Sequence, residues 1–197
     1  ARRNHYDLQI RHAVMFIVRL ILAVLLCCVL APLLPAASSD RQALAPWPVA
    51  ADSGDGPVEQ RLLADVADGR LDEHTLFEAA LIASGETDSL RLQQYQWQFS
   101  QLCDELRSTG TMMGSARQQA EALLEFLHRR ALTGPYDAVV SDMRAIFHEG
   151  RYNCVSSTVL FNGVAQEMGL RADAVQLPGH VASVVVTGHQ RIDVETT

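Results

Sequence analysis

After Gly169 the spacing of apolar residues switches from that of a helix to that of strands, and this switch restricts the fold more than any other feature of the chain. Before it, Phe161, Val164, Ala165 and Met168 share one helical face, and Gly169 is a stop signal. After it, Ala172–Leu177 and 181–186 are rich in apolar and β-branched residues, separated by the turn dipeptide Pro178-Gly179. A second turn over Thr187, Gly188, His189 and Gln190 leads to a third strand at 191–195. Such an order predicts an α+β fold in which a helix packs on an antiparallel sheet.

Three reactive side chains fall at the ends of these elements. Cys154 stands at the predicted helix N-terminus, where unpaired amides and the helix dipole favour an anion and so suit a thiolate. His180 opens the second strand and Asp193 lies in the third. One end of a sheet can bring them together as nucleophile, general base and orienter. Two competitors exist. His189 falls in a turn, where a solvated role is expected, and Glu195 points to the same side of its strand as Asp193.

The segment resembles the core of the transglutaminase-like superfamily. The pieces that carry the resemblance are Asn153-Cys154 before an apolar helix, Gly169-Leu170-Arg171-Ala172 into a strand, His180-Val181 opening the next, and Ile192-Asp193-Val194. Leu177-Pro178-Gly179-His180 is also similar to the SirB1-like branch, in which the nucleophile position need not be cysteine. The resemblance implies a papain-like fold with Cys154, His180 and Asp193 as the catalytic residues, and it chooses Asp193 over Glu195. It covers the last third of the chain and departs in two respects: Val181, Ala182 and Ser183 stand where many members have an aromatic residue, and the spacings from Cys154 to His180 and on to Asp193 are compact. The activity it implies is thiol-mediated acyl transfer, with a thioester resolved by water or by an amine and no cofactor. The Cys154 amide is the expected first oxyanion donor, with Tyr152 or a residue upstream as the second.

The N-terminus points outside the cytoplasm. Arg2, Arg3, Arg11 and Arg19 face a single acid, Asp7, and 20–34 is uncharged and apolar before Pro35-Ala36-Ala37. Residues 1–35 therefore read as a signal peptide or membrane anchor, and 36–56, rich in Ala, Ser, Pro, Gly and Asp, as a linker. A buried core helix is the bland alternative for 20–34. The helical region 57–135 comes next, and the core occupies 136–197. In that region Pro57 begins a helix, Asp72 caps a second that runs through Leu76 and Ile82, and Asp88 caps a third with Leu92, Tyr95, Phe99, Leu102 and Leu106 inward. A fourth spans 116–132 and ends on His128-Arg129-Arg130, a solvated basic terminus. The start at Ala1 and the stop just after the third strand suggest a piece of a longer protein.

A net charge of −7 without a basic run argues against a nucleic-acid partner, leaving a protein or peptide substrate and the membrane. Zinc at Cys154, His180 and Asp193 uses suitable ligand types, but no second ligand lies at helical or knuckle spacing. A Cys103–Cys154 disulfide would silence the chemistry. The main alternative to an enzyme is a binding or scaffolding module that keeps the fold with Cys154 as a relic.

Overall fold

A computed structural model describes residues 56–188 and 190–197. The expected signal or anchor segment, the linker up to Asp55, and His189 lie outside the described residues. Among the described residues, six helices precede a three-stranded antiparallel sheet of order β1-β2-β3, an α+β arrangement. The helices are α1 (Pro57–Asp65), α2 (Leu76–Ala83), α3 (Ser89–Thr109), α4 (Ala116–Arg130), α5 (Met143–Glu149) and α6 (Cys154–Glu167). The strands are β1 (Ala172–Leu177), β2 (His180–Thr187) and β3 (Gln190–Val194). No helix among the described residues is long and apolar enough to cross a membrane.

The molecule is organised around α6, and more completely than a single apolar face predicts. Every residue from Ser156 to Ala165 is buried. The sheet covers one side of the helix, and α2, α4 and α5 cover the rest. A helix enclosed all round has no polar face to display, so its pattern loses amphipathic contrast. Alternation along the strands turns Ala172, Val185, Ile192 and Val194 into the same core, with Ser183 opposite Val194 on that face. One buried cluster runs from Leu62 through the helices to Val194, so the helical region and the sheet share a core. Inside it the ring of Phe99 stacks on Phe77 at 4.3 Å.

Local chemistry explains most element starts. Asp88, Ser115 and Asp142 accept bonds from first-turn amides of α3, α4 and α5. The start of α2 differs from expectation: Thr75, not Asp72, is its cap. The reason is Asp65, whose carboxylate accepts the amides of Asp72, Glu73 and His74 together with the His74 ring, at 2.8 to 3.0 Å. Those amides are committed to a loop, and the helix begins after them. Nor is the end of α4 simply solvated: Arg130 pairs with Glu105, Arg129 with Glu125, and the His128 ring meets Tyr152 edge-on.

Candidate active site

The tip of α6 is built by Asn153. Its side-chain oxygen accepts the amides of Val155 and Ser156, both at 3.0 Å, while the Ser156 hydroxyl accepts the Asn153 amide. Two of the first-turn donors are thereby consumed. The Cys154 amide is not among them, and it faces the phenol of Tyr136.

Tyr136 arrives through a close approach of two glycine-bearing segments. The Gly134 amide donates to the Gly150 carbonyl at 3.0 Å, and a Cβ on Gly134 would lie 2.5 Å from the Glu149 carbonyl oxygen. Gly150 has φ +67° and is just as crowded, with a built Cβ 2.5 Å from the Thr133 hydroxyl. Past this crossing, Tyr136 and Tyr152 form a parallel bridge and the Asp137 amide donates to the Tyr152 carbonyl at 2.8 Å. The Tyr136 phenol is thus laid against Cys154. Its pKa is raised, first by desolvation and then by the charge of the Cys154 thiolate and hydrogen bonding with that sulfur; the Cys154 amide pulls the other way. Tyr136 therefore keeps its proton and remains a donor. Tyr152 is buried, its ring edge-on to Tyr136 and His128.

Three buried hydroxyls fasten this tip to the sheet. Ser157 and Thr158 each meet the Thr196 hydroxyl, at 3.0 and 3.1 Å, and Thr158 donates to the Val181 carbonyl at 3.4 Å. Val181 follows His180 and Thr196 follows Glu195, so the first turn of α6 is stitched to the backbone that bears both side chains.

His180 Nε2 donates to Glu195 Oε2 at 2.7 Å. Glu195, rather than Asp193, is the carboxylate against the imidazole. In the β2–β3 register Asp193 lies opposite Val184, four residues along β2 from His180, a separation of about 13 Å along the strand. Its side chain is exposed. Burial pushes Glu195 up, but hydrogen bonds from the Thr197 hydroxyl and the His180 ring outweigh it and hold the carboxyl below its usual value. An ionised Glu195 keeps a proton on Nε2 and leaves Nδ1 as the nitrogen a thiol could use.

Of the expected site residues, the structure holds Cys154 and His180 on stitched elements, but no hydrogen bond joins thiol to imidazole among the described residues. Cys154 is partly exposed and free, as is the buried Cys103, so no disulfide joins them. Burial pushes the Cys103 thiol up to about 12. No group of three or more His, Cys, Asp or Glu side chains among the described residues is placed to hold a metal. None of the family models, curated proteins or solved structures compared with this chain matches it.

Proposed function

We propose that this chain is an exported or membrane-anchored cysteine acyl-transfer enzyme of the transglutaminase-like kind, with a papain-like core. Cys154 is its nucleophile, His180 its general base, and Glu195 takes the orienting role expected of Asp193. The observation that carries the reading is the hydrogen bond from His180 Nε2 to an ionised Glu195, on strands stitched to the helix tip that bears the thiol. A histidine held this way has one nitrogen fixed as donor and the other available as acceptor.

The chemistry follows from those roles. Nδ1 of His180 takes the thiol proton as the sulfur attacks an amide or ester carbonyl. The oxyanion is met by the Cys154 amide and, once the phenol turns to it, by the Tyr136 hydroxyl. Collapse breaks the bond to the leaving amine or alcohol, which takes the proton from His180, and leaves a thioester on Cys154. Water or a second amine, deprotonated by His180, releases the acyl group and restores the thiol. The substrate in this reading is a protein or peptide, and the basic, then apolar, N-terminus supports a reaction beyond the cytoplasm.

The second reading, a binding module with the same fold, is favoured by one observation: thiol and imidazole have different polar partners, Tyr136 and Glu195. Intact mass spectrometry after mixing with p-nitrophenyl acetate separates the two. The enzyme reading expects an acetyl group on Cys154 that forms rapidly and decays, and that neither forms in Cys154→Ser nor turns over in His180→Ala. Acetylation no faster than that of a free cysteine supports the module.

A further inference from the structure

At the far end of α6 lies a cavity unconnected with the thiol chemistry. It has a volume of about 470 Å³, within the size range of small-molecule sites, and opens between the α1–α2 connection, the second half of α6 and the start of β1. Asn162, eight residues and about 12 Å along the axis from Cys154, lines it.

Asn162 is 1% exposed, yet among the described residues neither its carbonyl oxygen nor its amide nitrogen has a hydrogen-bond partner. Buried carboxamides are nearly always satisfied, because stripping water from both ends without replacement is costly. By contrast, Ser156, Ser157 and Thr158 at the tip of α6 spend their hydroxyls on structural contacts. Next to it, the Phe99 ring packs against Gly163, where a Cβ would meet it at 3.5 Å, in ordinary van der Waals contact. The stacked Phe77–Phe99 pair and Leu71 and Leu76 give the cavity an apolar wall beside the amide.

The rim decides the charge of what fits. Arg70 lies 3.7 Å from Asp72, Arg171 lies 3.6 Å from Asp173, and Glu167, also on the lining, lies 3.3 Å from Arg107. With its charges balanced locally, the mouth offers no excess of either sign to a charged ligand. We propose that this cavity binds a neutral ligand carrying an amide beside an apolar or aromatic group, the amide exchanging hydrogen bonds with both ends of the Asn162 carboxamide. A peptide-like amide is the complement, since it presents a donor and an acceptor side by side. The site is independent of the acyl-transfer reading.

Saturation-transfer NMR on the 197-residue chain with N-acetyl-L-phenylalaninamide tests it. Binding is expected at a dissociation constant on the order of 1 mM, reasonable for a ligand of this size. It should weaken at least tenfold in Asn162→Leu, stay unchanged in Cys154→Ser, and be weaker for N-acetyl-L-phenylalanine, whose carboxylate the balanced rim does not reward. Ala174→Leu, which fills the cavity from β1, should also weaken binding and gives the answer if Asn162→Leu does not fold. No binding to the unsubstituted chain, binding undiminished in both cavity variants, or loss in Cys154→Ser would overturn the proposal.

Discussion

The imidazole of His180 donates from Nε2 to Glu195 at 2.7 Å, while Asp193, two residues earlier, is exposed and lies across from Val184. If that contact orients the base, Glu195→Gln should leave the fold intact and lower the rate of ester hydrolysis by about 10²- to 10⁴-fold, as removal of a triad carboxylate does. Asp193→Asn should stay within a few-fold of the unsubstituted chain. Steady-state kcat/KM for both variants decides it, and the reverse ranking would restore Asp193.

The choice of carboxylate marks where sequence reading stopped. The starts of α1, α3, α4 and α6, the inward stripe Leu92–Tyr95–Phe99–Leu102–Leu106 and the three strands were legible because caps, turns and apolar periods are local signals, whereas the start of α2 depended on the Asp65 contact. Asp193 and Glu195 share a face, so alternation cannot separate them. Register can: Thr187 pairs with Gln190 across two intervening residues, which fixes Ser183 on Val194 and carries Glu195 two residues nearer the start of β2. Tyr136 was hidden for a different reason. Nothing within its own stretch says that Gly134 and Gly150 will cross, and only that long-range contact brings the phenol to Cys154.

Tyr136→Phe removes the hydroxyl and keeps the ring against Tyr152. Loss of one oxyanion donor typically costs 10²- to 10³-fold in kcat, so a fall of about 10²-fold with little change in KM is expected. A change confined to KM would make Tyr136 a binding residue instead.

Thr196 is fully buried and shares its hydroxyl with Ser157 and Thr158. Thr196→Val keeps the volume and breaks both contacts at the junction of helix tip and sheet. Equilibrium urea unfolding should show a loss of about 2 kcal/mol, because Ser157 and Thr158 keep other acceptors in Asn153 and Val181. The hydrolysis rate should fall as well, since the stitch aligns the two halves of the site. A loss of stability with no loss of rate would separate the stitch from the chemistry.

Asp65 gives the fold an acid limit. Burial pushes its carboxyl up, but the His74 ring and three amides outweigh that and bring it from 3.8 down to about 2. A folded value below the unfolded one contributes stability that is complete above the unfolded value and disappears as pH falls through the folded one. Stability should therefore decline between about pH 4 and pH 2, by about 2 kcal/mol from this group. Asp65→Asn should flatten that part of the profile in urea titrations, and an unchanged slope would assign the acid loss elsewhere.

The central claim is that His180 activates the Cys154 thiol, and iodoacetamide at about pH 6, where a free thiol is mostly protonated, tests it most directly. Peptide mapping separates Cys154 from Cys27 and Cys28, and buried Cys103 should stay silent. Stoichiometric labelling of Cys154 at least tenfold faster than free cysteine is expected, slowed at least tenfold in His180→Ala. Labelling of Cys154 at the rate of a free thiol, unchanged in His180→Ala, would contradict it.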